Sequence, residues 1–262
     1  MTIKDITDHL ESIAPTHLQE SYDNAGLIVG HPDTEVTGVL TSLDCTEEII
    51  AEAKARGCNM VVAHHPIVFR GLKRFNGNDY VERTVIKAIK EDVAIYAIHT
   101  NLDNVRHQGV NERIAQRLGL ENLRLLGPKN EEKTIGSGMV GELPTGMDEK
   151  TFLRHLKTSM DASLVKHTLL LNKEVKTVAL CGGAGGFLLN QAKKAGAQVF
   201  VTSDYKYHEF FDADGQIIIC DIGHYESEQF TTQLLAELLT KKFPTFAVLC
   251  TELTTNPVSY FV

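Results

Sequence analysis

The chain predicts an α/β protein made of two α/β units in tandem, and three observations predict it. Short apolar runs rich in β-branched residues alternate with helical patterns, the alternation occurs as two series, and a cluster of Gly, Pro and charge separates them. In the first series the strand candidates are GLIVG, VTGVLTSLD, NMVVA and VAIYAI, parted by the helical patterns TEEIIAEAKARG and DYVERTVIKAIKED and followed by GVNERIAQRLG. The stretch LLGPKNEEKT reads as the linker. The second series comprises SLVKHTLLL, VKTVALC, AQVFVTS, QIIIC and TFAVLC, interleaved with FLLNQAKKAG and SEQFTTQLLAELLTKK. The expected division is residues 1–127 and 128–262, with the C-terminal elements free to pack on the first domain.

At 262 residues and 43% hydrophobic content, the chain is long enough to bury substantial cores. Its net charge of −8, without a basic stretch, argues against bulk nucleic acid as a partner. Bound divalent ions can nevertheless reverse the field inside one cleft, so phosphate esters stay within reach of an acidic chain. The N-terminal MTIKDITDHLESIAP lacks the continuous apolar core of a secretory signal, and no segment has the length and apolarity of a membrane span. Five scattered cysteines, Cys45, Cys58, Cys181, Cys220 and Cys250, form no C-x-x-C pair and suit a reducing cytosol, so a cytoplasmic protein is expected. Cys220 and Cys250, inside apolar runs, read as core, and none of the five reads as a thiolate ligand or a nucleophile.

Chemistry concentrates at the ends of three apolar runs, where α/β sheets gather ligands: His64 and His65 in VVAHHP, His99 and Asp103 in HTNLD, and His224 and Glu228 in GHYESE. A strand points neighbouring side chains apart, so adjacent His64 and His65 are free to serve different ions; a ligand beside a merely hydrogen-bonded histidine fits as well. His224 and Glu228 stand four apart at a helix start, about 6 Å between Cβ atoms, a spacing compatible with chelation. A Glu that complements the helix dipole in a first turn fits the same spacing. Asp103 reads as a ligand, and His99 as an orienting partner, a proton carrier or a structural histidine.

Together the three sites offer nitrogen and oxygen donors without cysteine, as two-metal hydrolases do, and Glu228 fits a bridging carboxylate. In such sites a water between the ions loses a proton near neutral pH and becomes the nucleophile, so hydrolysis is the expected chemistry. The donor types suit iron, zinc, manganese and nickel alike. Two further features accompany them. The glycines of LCGGAGGFLLNQ, with Gly183 and Gly185, lie between strand and helix, where they serve either tight packing or contact with a substrate phosphate. Arg70, Lys73 and Arg74 in FRGLKRF fit triphosphate recognition or a solvated loop.

The motifs SYDNAGLIVG, AHHPIVFRGLKRF, IHTNLDNV, CGGAGG, TSDYKYHEFFDA and GHYESEQF occur in the order found in the GTP cyclohydrolase 1 type 2 homologue family, also called NIF-three-like, which the chain resembles over nearly its whole length. The early motif carries Tyr22 where that family often has Trp, and the stretch 128–176 is too short for the large domain inserted in some members. The resemblance implies two α/β domains with a dinuclear metal site in the cleft between them, commonly in a homohexameric ring. It implies that His65 and Asp103 bind one divalent ion, that His64 and His224 bind the other, and that Glu228 bridges both. It places His99 and His208 at the site, where either would handle protons; a satisfied helix histidine is the other reading of His208. The implied activity is hydrolytic opening of the guanine imidazole ring of GTP with formate release. A phosphoesterase or nucleotide pyrophosphatase, and a non-catalytic metal-binding, ring-forming interaction protein, fit the same ligands.

Overall fold

The computed structural model describes residues 1–261. Helix α1 (Ile3–Ile13) starts at Thr2, whose side chain and that of Asp5 cap each other's backbone amides. The short strand β1 (Gly26–Val29) follows, then β2 (Val39–Ser42), helix α2 (Glu47–Ala55), β3 (Met60–Ala63), α3 (Tyr80–Glu91), β4 (Ala94–Ala97) and the single turn α4 (Thr100–Asp103). Thr46 and Asp79 cap α2 and α3 by accepting backbone hydrogen bonds. The apolar runs of β2, β3 and β4 are buried at every position, as expected of parallel strands covered on both faces.

The second half of the chain opens with α5 (Val110–Arg117) and then β5 (Glu121–Pro128) and β6 (Gly136–Asp148), which form an antiparallel hairpin. LLGPKNEEKT, expected as a linker, therefore supplies the end of β5 and the hairpin turn. Gly, Pro and charged residues favour a turn inside a unit as much as a link between units. Helix α6 (Glu149–Ser159), β7 (Lys166–His167), β8 (Glu174–Leu180), α7 (Leu189–Lys194), β9 (Val199–Thr202), β10 (Ile218–Asp221) and α8 (His224–Glu228) follow. Of SLVKHTLLL, expected as a full strand, only two residues pair, antiparallel to β10. The remainder alternates too little to present one face to a sheet. The last elements are α9 (Thr231–Lys242) and β11 (Val248–Cys250).

Two compact units result. One contains residues 1–102 and 231–258; the other contains 103–230 and 259–261. The first holds a five-stranded sheet in the order β1-β4-β3-β2-β11, parallel except for β1. Leu40, Ile49, Ile50, Val61 and Ile95 form part of the core between this sheet and its helices. The second unit holds a six-stranded sheet, β5-β6-β8-β9-β10-β7, in which β8, β9 and β10 are parallel. Val140, Ala179, Phe200 and Ile219 belong to its core. The molecule is thus a mixed α/β protein with two sheets. No helix among the described residues is long and apolar enough to cross a membrane.

Candidate functional site

In the first unit, the C-terminal ends of β3 and β4 gather three histidines. The amides of His64 and His65 donate to the carbonyls of Ser42 and Leu43, continuing the pairing of β3 with β2 beyond the strand proper. At this bend the strict alternation of a strand no longer applies, and the two rings lie on converging rather than opposite sides, with centroids 4.9 Å apart. His99 closes the group at 5.3 Å from each. One donor atom of each of the three lies within 4.8 Å of the others, so the trio could hold a metal ion.

Each ring is held at Nδ1. His64 Nδ1 lies 2.8 Å from the Ile98 carbonyl, which can only accept, so the hydrogen sits on Nδ1 and the Nε2 lone pair is presented. His65 Nδ1 lies 2.7 Å from Asp44 Oδ1, and His99 Nδ1 lies 2.8 Å from Asp23 Oδ1. Oxygen partners at Nδ1 fix ring orientation and raise the basicity of Nε2, as they do for metal-ligating histidines. Burial opposes ionisation of Asp23, but hydrogen bonds from His99 and Thr100 outweigh it and hold the carboxyl down at about 2. Phe69, half exposed, stands edge-on to His99 with ring centroids 5.7 Å apart.

In the second unit the donors are mostly anionic. Asp103, at the end of α4, and buried Glu228, in α8, offer carboxylate oxygens within 4.8 Å of one another. His224 Nε2 lies 3.1 Å from Glu228 Oε2, and its Nδ1 lies 2.7 Å from Asp204 Oδ2. Burial alone would lower the pKa of His224. The flanking carboxylates of Asp204 and Glu228 prevail and push it up to about 11, so the ring holds a proton between two acids. A site that draws a proton this strongly has the charge to hold a cation. Burial, then the charges of Asp103 and Glu228, push the nearby Cys181 thiol up, so no thiolate competes with the nitrogen and oxygen donors.

The local scaffold explains this placement. Gly223 adopts φ 94° ahead of α8, where a Cβ would fall 2.2 Å from Glu226 Oε2. Buried Asp221, at the end of β10, accepts hydrogen bonds from the amides of Gly223 and Tyr205 and forms an ion pair with Lys166, fixing both turns that carry Asp204 and His224. The CGGAGG turn packs beneath Glu228. At Gly183 (φ 60°), a Cβ would stand 2.6 Å from Glu228 Oε1. The Gly183 amide donates to Ser227 Oγ and the Gly185 amide to Thr202 Oγ1, contacts of close packing between strand and helix.

Of the residues singled out in the sequence, His64, His65 and His99 therefore meet in one unit, and Asp103, His224 and Glu228 in the other. His208 is exposed between the rings of Tyr207 and Phe211 and belongs to neither set. Arg70, Lys73 and Arg74 are exposed on the loop beyond β3. Sequence reasoning missed the orienting acids Asp23, Asp44 and Asp204. Asp23 and Asp204 lie within SYDNAG and TSDYKYH, and Asp44 ends the run before α2. An acid just after a strand, in a chain with several strand-end histidines, was the available signal.

The chain matches Duf34/NIF3 (NGG1p interacting factor 3) over residues 1–257. A protein of Clostridium perfringens named GTP cyclohydrolase 1 type 2 homolog is 34% identical over 229 residues, covering 87% of each chain. One of the same name from Lactococcus lactis is 34% identical over 247 residues, covering 91% of each. The crystal structure of Staphylococcus aureus hypothetical protein SA1388 superposes with a TM-score of 0.93 at 31% identity, covering 100% of this chain and 99% of its own. A Bacillus cereus protein related to NIF3 does so with a TM-score of 0.93 at 26% identity, with the same coverage. On this evidence the chain belongs to the Duf34/NIF3 family.

Proposed function

We propose that the protein is a dinuclear divalent-metal-dependent hydrolase that opens the imidazole ring of GTP. The observation that supports this reading most is the pair of donor sets: three histidines held at Nδ1 in one unit, and Asp103, His224 and Glu228 in the other. Both consist of nitrogen and oxygen donors, which suit iron, zinc, manganese and nickel. In the proposed arrangement His65 and Asp103 would hold one ion, His64 and His224 would hold the other, and Glu228 would be a ligand common to both. Bound there, the ions would supply Lewis-acid activation of water near neutral pH.

The remaining roles fall to the chain itself. His99, fixed by Asp23, presents Nε2 to move a proton to or from the substrate. Phe69 shields one edge of that ring. Arg70, Lys73 and Arg74 supply cations for the triphosphate. Opening the ring adds one water at C8 of the purine to give a formamidopyrimidine, and a second water cleaves that formamide, releasing the carbon as formate and leaving a triaminopyrimidine nucleotide.

The names of the relatives support GTP as the substrate. Incubating protein loaded with iron, zinc or manganese with GTP should release formate and the triaminopyrimidine in equal amounts. Absence of both products with all three metals would overturn the cyclohydrolase reading, and phosphate release in their place would favour a phosphoesterase. We further propose a cytoplasmic homo-oligomer, a hexamer by family resemblance, which mass measurement in solution tests.

A further inference from the structure

The C-terminal segment reaches one of the candidate ligands by a route that neither the family match nor the proposed reaction uses. Beyond β11, the Thr251 amide donates to the Thr41 carbonyl and prolongs the pairing with β2. Glu52 of α2 then holds the segment: its carboxylate accepts from the Thr251 hydroxyl and, at 2.9 Å, from the Glu252 amide. Arg56 ties the same place together by donating to Glu52 Oε1 at 2.6 Å and to the Cys250 carbonyl at 2.9 Å. Thr255, a few residues further on, donates its hydroxyl to Asp44 Oδ2 at 2.6 Å. The other oxygen of that carboxylate, Oδ1, is the one bonded to His65 Nδ1 at 2.7 Å. All these residues belong to the first unit.

We propose that Thr255 is a positioning residue for His65, through which the docked C-terminal segment fixes the Asp44 carboxylate and so the direction in which His65 presents Nε2; this rests on the reading of His65 as a metal ligand. A carboxylate turns readily about its last side-chain bond, which has only broad, shallow preferences. With Oδ2 held by a hydroxyl anchored in the segment, Oδ1 stays on His65 Nδ1, and the ring is held both in plane and in tautomer. Burial disfavours charge on Asp44, yet the bonds from His65 and Thr255 outweigh it and keep the carboxyl below its usual range.

The test compares wild type with Thr255→Val, which keeps the shape and removes the donor, and with Thr255→Ser, which restores it. Two quantities are read: affinity for manganese or zinc by chelator competition, and the imidazole nitrogen shifts of His65 in metal-free protein. The expected result is about tenfold weaker affinity in Thr255→Val, within the range for loss of an orienting partner. His65 should shift away from a single Nδ1–H tautomer, and Thr255→Ser should match wild type in both. If Thr255→Val fails to fold, Thr255→Ala serves in its place. Wild-type affinity together with unchanged His65 shifts would show that Thr255 merely docks the segment and would overturn the proposal. Should wild type itself bind neither metal, the metal-ligand reading of His65 falls, and the nitrogen shifts alone decide whether Thr255 sets the ring.

Discussion

The two donor sets solve the same problem with opposite electrostatics. In the first unit three histidines converge, each held at Nδ1 by an oxygen, and the acids Asp23 and Asp44 stand behind the rings. In the second unit the acids stand at the front, and the lone histidine is clamped between Asp204 and Glu228. The first arrangement fixes geometry. The second concentrates negative charge, and the imidazole of His224 meets it by staying protonated. The histidine set is thus organised by oxygen partners behind its rings, whereas the clustered carboxylates draw positive charge, which the proton on His224 supplies.

Breaking the charged set should have the larger effect. On the proposed arrangement Glu228→Ala removes a ligand from both ions, so elemental analysis should find less metal in it than in His65→Ala. Equal retention in the two variants and wild type would end the two-metal scheme. Next comes Asp204→Asn, which keeps the shape of a residue held at φ 59°, a backbone conformation that Asn tolerates, but removes the charge behind His224. Metal affinity should fall about 10- to 100-fold, the usual cost of an orienting partner. Affinity unchanged in that variant would mean that Asp204 does not orient a ligand.

Smaller effects sharpen the comparison through stability. Gly183→Ala should destabilise the second unit by about 1–3 kcal/mol, because it forces a left-handed alanine whose Cβ meets Glu228; chemical denaturation measures this. The pH response separates the sets. His224 has its pKa raised from 6.5 to about 11 in the folded chain, so its contribution to metal-free stability is full below 6.5 and is lost as pH rises through about 11. Replacing it by Gln should flatten the alkaline fall in melting temperature. Asp23 runs the other way. Its pKa drops from 3.8 to about 2, so its contribution is present above 3.8 and is lost as pH falls through about 2. Asp23→Asn should flatten the acid limb and leave the alkaline one as in wild type.

Much of the parallel core was legible. NMVVA, VAIYAI and QIIIC are unbroken apolar runs, which buried parallel strands require, and each became a strand. The hairpin of β5 and β6 was not. β6 spans 13 residues but carries Gly136, Gly138, Gly141 and Gly146, and its register shifts between Glu142 and Met147, so periodicity is lost. The sequence left the C-terminal elements free to pack on the first unit, but which strand they join was hidden for another reason. β11 joins β2, some two hundred residues earlier, and parallel pairing of that kind leaves no local signature.

The sequence by itself determined the chemical inventory: which histidines and carboxylates lie just past strand ends, that the donor atoms gathered there are nitrogen and oxygen rather than sulfur, and, through motif order, the family. These depend on residue type and local spacing. Only the tertiary structure decided which acid stands behind which histidine. Asp44 with His65, Asp23 with His99 and Asp204 with His224 are 21, 76 and 20 positions apart, and strand pairing brings each couple together. It alone decided that His224 sits between two acids and holds its proton, because the field that raises its pKa is the sum of groups that meet only when β9, β10 and α8 are in place.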